Sequence, residues 1–327
     1  MPDPVDSARA APDVSVVVAT WNRADRLERL LAGLRAQTLP RERFEVVVVD
    51  DGSTDRTPAV LATAAEAGGL ALRAIRHRGN AGRAAAREDG WRGAEAELVA
   101  FIDDDCVPTP DWLAAGLEAS AGAGGAIVQG RTEPDPAERD RLGPFSRTVE
   151  VTSYDPAFQT CNIFYPRAVL ERVGGFDVAA FGRAHGGEDS DLAWRAIAAG
   201  AAAVYSDRPL VHHAIHRLGP LGKLRLCGGW SLLAYARHPE LRRAHFADRV
   251  FWKPTHRWLF RALVGLALPR RLWPLRAALA LTYARSLYAR GRIEGGGPLL
   301  APYFVACDIA EVSAAVRSSL RYRTLML

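Results

Sequence analysis

Apolar residues in this chain come in short runs that end in acids, separated by stretches of helical periodicity. Residues 14–19 (Val-Ser-Val-Val-Val-Ala) run into Thr20-Trp21-Asn22-Arg23, after which Leu27, Leu30, Leu31 and Leu34 recur at helical spacing. That pattern predicts a strand, a loop and an amphipathic helix. Residues 44–49 form a second β-branched run, closed by Asp50-Asp51-Gly52-Ser53-Thr54-Asp55, with a helix predicted from about Thr57-Pro58. A third apolar run, residues 98–102, stops at Asp103-Asp104-Asp105. Near-continuous apolar strands alternating with helices predict an α/β fold, with a mostly parallel sheet covered by helices on both faces. Such sheets bind ligands at the carboxyl ends of their strands. Thr20, Asp50, Asp51 and the three consecutive aspartates all fall there, so one shared crevice is expected.

Three adjacent carboxylates at a strand end repel one another unless a cation lies between them. A hard divalent ion, Mg²⁺ or Mn²⁺, suits such oxygens together with the phosphates of a ligand. The plainer alternative is a solvated acidic loop. A second acidic cluster, Glu188-Asp189-Ser190-Asp191, follows Gly187 and opens a helix whose buried stripe is Leu192, Ala193, Ala196 and Ile197. Acids in a first helical turn also favour the helix dipole, and that role is expected for Asp191.

Six elements in this order resemble glycosyltransferase family 2, an inverting family with the GT-A fold. They are residues 14–22 with the Leu-rich helix to Gln37, residues 46–53, 80–87 (Asn-Ala-Gly-Arg-Ala-Ala-Ala-Arg), 101–108 with Asp111-Trp112-Leu113, Gly174-Gly175-Phe176-Asp177, and 187–192. The resemblance covers roughly residues 13–213. It implies that Thr20, Asn22, Asp50 and Asp51 hold the nucleotide base, with Asp51 favoured, since a carboxylate accepts ring N–H groups. Their alternative is turn formation and helix capping, expected of Ser53 or Asp55. It also implies that Asp103 and Asp105 form the metal signature, with Asp105 the direct ligand and Asp103 or Asp104 bonding the ribose. Asn80 and Arg83, in a loop entering a helix, would meet phosphate or ribose. Asp189 would be the base that takes the proton of the attacking hydroxyl. His213, after a predicted strand in residues 202–211, would complete the metal site. Imidazole suits Mn²⁺ better than Mg²⁺. Asn162, Glu188 and Trp194 would lie on the acceptor and donor-sugar side.

Charge then divides the chain. Residues 1–213 carry 23 Lys and Arg against 32 Asp and Glu, whereas residues 214–327 carry 19 against 5, a formal +14. The basic part also holds Trp230, Trp252, Trp258 and Trp273, and apolar runs broken by arginines such as Arg261, Arg270, Arg271, Arg276 and Arg285. None of its uncharged runs reaches the roughly 18 residues of a membrane span. Helices of this kind can instead lie in the interface of an anionic membrane. Nucleic acid is not expected as a partner, because no nucleic-acid module is present and the runs are too apolar for a phosphate-tracking arm. Four dispersed cysteines give no zinc spacing and no disulfide framework. The expected organisation is a disordered segment over residues 1–12, without the apolar core of a signal peptide, a GT-A catalytic domain over 13–213, and a basic amphipathic helical region over 214–327.

The resulting expectation is a metal-dependent inverting glycosyltransferase. It would move sugar from a UDP-, GDP- or dTDP-sugar donor to a lipid-linked saccharide, polyprenyl phosphate or surface glycan at the cytoplasmic membrane face. Two alternatives stand beside it: a sugar-nucleotide pyrophosphorylase of the same fold class, against which the missing Gly-rich phosphate loop counts, and a non-catalytic, membrane-docked nucleotide-binding module.

Overall fold

The computed structural model describes residues 11–182 and 186–327. All but the last two residues of the N-terminal segment expected to be disordered lie outside the described residues. In chain order the strands are β1 (Val14–Thr20), β2 (Phe44–Asp50), β3 (Leu72–Arg76), β4 (Leu98–Ile102) and β5 (Cys106–Pro108). They continue as β6 (Ile127–Pro134), β7 (Ser146–Arg147), β8 (Asn162–Pro166), β9 (Ala203–His213) and β10 (His216–Arg217). Eight form one sheet in the order β3-β2-β1-β4-β8-β6-β9-β5, and β10 pairs with β7 in a separate ribbon.

The half built from β3, β2, β1 and β4 is parallel, as the apolar runs predict. β8 then enters antiparallel to both β4 and β6. The two short runs expected in residues 202–211 are one strand, β9, which pairs with β6 across an irregularity at Gly130/Arg131.

Helices α1 (Ala24–Arg35), α2 (Thr57–Glu66), α3 (Arg83–Gly93) and α4 (Trp112–Gly122) follow strands in the first half. Alternation along each strand sorts the core onto two faces. Val16, Val18, Val46 and Val48 pack with Leu27, Leu30, Leu31 and Leu34 of α1 and with Leu61 of α2. Burying each such leucine is worth roughly 1.5–3 kcal/mol. Val17, Val47, Val99 and Phe101 face the other way, onto Trp91 of α3. A Cβ on Gly90 would lie 2.5 Å from Val17 Cγ1, so α3 approaches β1 closely because that residue has no side chain. Between β8 and β9 lie α5 (Arg167–Val173), α6 (Val178–Phe181) and α7 (Glu188–Ala198); Leu192, Ala193 and Ala196 of α7 join this second core face.

Beyond Arg217 the chain is helical: α8 (Gly219–Gly229), α9 (Leu233–Arg237), α10 (Pro239–His245), α11 (Pro254–Ala267), α12 (Trp273–Ile293) and α13 (Ala301–Tyr322). Two small cores hold this region, one around Leu232, Phe246 and Trp252, the other around Leu259, Tyr283, Leu287 and Phe304. One stretch, Gly297–Tyr322, is long and apolar enough to cross a bilayer by length and composition, and a third of its most apolar 18-residue window is buried within the fold. This qualifies the expectation drawn from uncharged runs, because the stretch carries Asp308 and Glu311. Both acids are engaged inside the protein: Asp308 accepts from Tyr283 Oη (2.8 Å) and Arg290 (3.1 Å), Glu311 from Lys253 (2.6 Å) and His256 (3.1 Å). All four cysteines are free and buried.

Candidate active site

Side chains at the carboxyl ends of β1 and β2 mostly tie those ends together. Asn22 adopts a left-handed φ of 53°, which asparagine tolerates better than most residues. Its Oδ1 accepts from the backbone N–H of Thr54 (2.7 Å) and Asp55 (3.3 Å). Asp55 accepts from Thr57 N (2.9 Å) at the start of α2, the capping role expected of it. Asp50 Oδ1 accepts from Ser53 N (2.8 Å), while its buried Oδ2 has no hydrogen-bond partner. Asp51 accepts from Ala81 N and Gly82 N, both 2.8 Å, and sits 2.7 Å from His77 Nδ1. Asp50 therefore shapes the turn after β2 and Asp51 the turn ahead of α3, in which Asn80 is exposed.

The three aspartates after β4 are each satisfied differently. Asp103 accepts from Arg87 Nη2 (2.7 Å), and Asp104 from Thr20 Oγ1 (2.8 Å) and Arg23 (3.1 Å). Arg23 also reaches Asp105, whose Oδ2 lies 2.7 Å from His216 Nε2. Burial, reinforced by the charges of Asp105 and Asp103, pushes the Asp104 carboxyl up to about 7 against the pull of Arg23 and Thr20. Burial alone would raise Asp105 too, but the His216 hydrogen bond and the charges of His213 and Arg23 hold it well below the usual range. Arg23, Arg87 and His216 thus already bind these carboxylates, which narrows the electrostatic argument from sequence alone, while the charges of Asp105 and Asp103 still help to raise Asp104.

What favours an ion is narrower. Asp105 Oδ1 is buried without a hydrogen-bond partner, and His213 Nε2 stands 3.5 Å from it. Asp105, Cys106 and His213 each bring one donor atom within 4.8 Å of the others. Carboxylate and imidazole fit Mn²⁺, whereas a thiol is too soft a ligand for either expected ion. Burial also pushes the Cys106 thiol well up, which keeps it neutral.

On the opposite wall, Gly187 (φ +98°) turns the chain into α7. Glu188 accepts from Arg87 Nη1 at 2.8 Å, with Arg83 Nε 3.6 Å away. Asp189 Oδ1 accepts from Ser190 N (2.8 Å), and its carboxyl is pushed up to about 7 by burial and by the neighbouring Glu188, against the pull of Arg87. Asp191 is fully buried and binds Arg195 (2.8 Å) and His238 (2.9 Å), so it anchors the helix.

Asp189, Asp103, Arg83 and Arg87 line one cavity of about 960 Å³, to which the helical region contributes Lys223, Trp230, Tyr235 and Trp252. Asn162 and Trp194 are not part of it. The Asn162 amide donates to the carbonyls of Arg131 (2.7 Å) and Pro209 (2.8 Å), accepts from Trp112 Nε1 (2.8 Å), and fills the space beside Gly130. Trp194 Nε1 donates to Pro156 O (2.8 Å). Both residues expected on the acceptor side hold backbone carbonyls, Asn162 near the irregularity in β6 and Trp194 at Pro156.

Three arginines and a histidine at the site were not singled out from sequence. Arg87 follows Arg83 by four positions on α3, the spacing that puts two side chains on one helix face. His216 follows His213 by three. Arg23 carries no pattern of its own. Arg147, in β7 opposite His216, lines the cavity with its guanidinium 5.8 Å from the Trp230 ring and has no ion-pair partner among the described residues.

Comparison with known proteins decides the family. Residues 15–183 match the profile of glycosyl transferase family 2. The chain belongs to that family. Succinoglycan biosynthesis protein ExoU of Rhizobium meliloti is 31% identical over 268 residues, 74% of this chain and 70% of ExoU. Validoxylamine A glucosyltransferase of Streptomyces hygroscopicus subsp. jinggangensis is 29% identical, over 81% of this chain and 69% of the other. Glycosyltransferase AglE of Haloferax volcanii is 32% identical over half of this chain, which spans 56% of AglE's length. Among solved structures, mannosyltransferase PcManGT from Pyrobaculum calidifontis, in complex with GDP-Man and Mn²⁺, superposes with a TM-score of 0.60 at 25% identity, covering 94% of this chain and 87% of that one. S. aureus TarS (residues 1–349, with UDP-GlcNAc) shares the fold at a TM-score of 0.56 and 18% identity, over 95% and 92% of the two chains. The mixed sheet with helices on both faces is the GT-A fold.

Proposed function

We propose that this family 2 chain is an inverting glycosyltransferase that moves a sugar from a nucleotide-sugar donor to an acceptor hydroxyl. Residues 13–213 form its catalytic unit, and residues 214–327 close its acceptor side. The observation that carries this reading is the placement of Asp189, with its raised carboxyl, on the same cavity as Asp103. Once ionised, Asp189 takes the proton from the acceptor hydroxyl as that oxygen bonds to the anomeric carbon and the bond to the diphosphate breaks. Arg87 holds Glu188 and Asp103 and so sets the distance between the two walls. Arg83 and Arg147 line the cavity and present cations to the departing diphosphate.

Asp105 and His213, with Asp103 of the same acidic run, would hold Mn²⁺ or Mg²⁺. When bound, such an ion supplies Lewis-acid neutralisation of the leaving phosphate. Thr20, Asp50 and Asp51 shape the base end, where Trp21, 49% exposed, offers a flat apolar face. Trp230, Trp252 and Tyr235 on the far wall suit a saccharide, whose apolar ring faces stack on aromatics. A lipid-linked saccharide or surface glycan, met at the cytoplasmic face of the plasma membrane, fits this wall and the basic helical region.

Thermal-shift screening of UDP-, GDP- and dTDP-sugars with Mn²⁺ should give one nucleotide that stabilises the protein. Incubation with that donor and saccharide acceptors should then release nucleoside diphosphate and a product of inverted anomeric configuration. Binding without donor turnover would overturn the catalytic reading in favour of a nucleotide-binding module.

A further inference from the structure

α11 and α12 fold back on one another through a turn at Pro269. Gly265 provides the close approach: a Cβ there would lie 3.1 Å from Leu279 Cβ. The base of this hairpin is anchored, since Leu259, Tyr283 and Leu287 are buried with Phe304. Its tip is not. Leu266 is 65% exposed and Trp273 69%, and Leu263, Leu272, Leu275 and Leu281 are exposed as well. From Trp273 to Tyr283 the helix rises about 15 Å, so the uncovered part is a projection rather than a patch. An apolar surface of that kind marks an interaction site.

Its charge identifies what it meets. Residues 254–293 contain eight arginines and no Asp or Glu. Arg257 pairs with Asp248, and Arg290 with Glu294 and Asp308. The other six have no ion-pair partner among the described residues.

We propose that the tip of the α11–α12 hairpin inserts shallowly into the headgroup boundary of an anionic lipid bilayer. Apolar residues with unpaired arginines between them match a surface that is apolar below and anionic above. A second copy of this chain would bring two sets of unpaired arginines together, so self-association through the tip is disfavoured. Depth follows from Arg270 and Arg271, exposed in the turn itself. Guanidinium groups are costly in hydrocarbon and stay with the phosphates. Leu272 and Trp273 can therefore dip just below them, but the hairpin does not span.

The inference deepens the membrane location proposed above and is independent of the catalytic roles. It also adds a geometric consequence. Arg290, Arg292 and Ile293, at the other end of α12, line the 960 Å³ cavity. One continuous helix, rising about 28 Å from Trp273 to Arg292, thus joins the lipid-facing tip to the site.

The test is sedimentation of the full chain with phosphatidylcholine vesicles, with and without phosphatidylglycerol, at low and high salt. Wild type should bind only when phosphatidylglycerol is present and should weaken with salt. Arg270→Ala with Arg271→Ala should weaken binding about 30-fold, from the usual worth of two basic residues at such a surface. Trp273→Ala should weaken it while leaving the salt dependence unchanged. Sugar transfer to a soluble acceptor should be the same in all variants, so a failure of the catalytic reading would show separately. No binding by wild type at low salt, unchanged binding by both variants, or a concentration-dependent dimer lost in Trp273→Ala would each overturn the proposal.

Discussion

The guanidinium of Arg87 donates to Glu188 at 2.8 Å, across 101 positions of sequence and inside the protein. Its other nitrogen holds Asp103, so one buried side chain on α3 joins the strand end after β4 to the start of α7. Burial would lower the affinity of this guanidinium for its proton, but Asp103, Glu188 and Asp189 raise it above the usual arginine value.

Replacing Arg87 by Ala should leave Glu188 buried without a hydrogen-bonded cation, with only Arg83 3.6 Å away, costing about 3 kcal/mol of stability. Urea unfolding measures this. Arg87→Lys, which keeps the charge but cannot fork between two carboxylates, should retain more stability while still losing transfer. Equal kcat in Arg87→Lys and wild type would show that the fork is not needed.

Transfer should rise with pH through about 7, because Asp189 accepts a proton only when ionised and its carboxyl sits that high. Asp189→Asn should keep donor binding by calorimetry and lose on the order of 10²–10⁴ in rate. The stability sign runs the opposite way. A folded pKa raised above the unfolded one means wild type loses stability as pH rises from the ordinary carboxylate range through about 7. Asp189→Asn should therefore gain on wild type above that pH, a comparison that thermal melts can make.

Nucleoside diphosphate should bind tightly only with a divalent ion present. Calorimetry with Mn²⁺ and again with EDTA checks this, and Asp105→Ala should remove the difference. His216→Ala, which takes away the hydrogen bond to Asp105, should weaken the ion by about 10–100-fold. Equal affinity with and without the ion would remove the metal role.

In the helical region, Glu311 is pulled down to about 2: burial opposes the shift, but His256 and Lys253 outweigh it. A folded pKa below the unfolded one gives stability that is present above the ordinary range and lost as pH falls from about 4.5 toward 2. Glu311→Gln should cost about 3–5 kcal/mol near neutrality and flatten that acid limb, both measurable by denaturant melts at several pH values.

Much of the first half was legible from local pattern. β1, β2, β4 and α1 follow periodicity, because a buried strand needs an unbroken apolar run and a surface helix needs an apolar stripe, whereas β3, a partly exposed edge strand with arginines in it, carries no such run. The acids at the strand ends followed too, since parallel strands all present the same end to the ligand. Pairing across distance was not legible. Which basic side chain meets which carboxylate depends on contacts such as Arg23 to Asp104 and His216 to Asp105, separated by 81 and 111 residues, and no local signal marks them. Asn162 is another such case: its amide satisfies the carbonyls of Arg131 and Pro209 at an irregular strand pairing, contacts that no local pattern announces. The basic, Trp-rich composition of the last third was plain in the sequence, but only the packing determined which apolar residues go inside. Leu259 and Leu287 are buried with Phe304, whereas Leu266 and Trp273 are left mostly exposed.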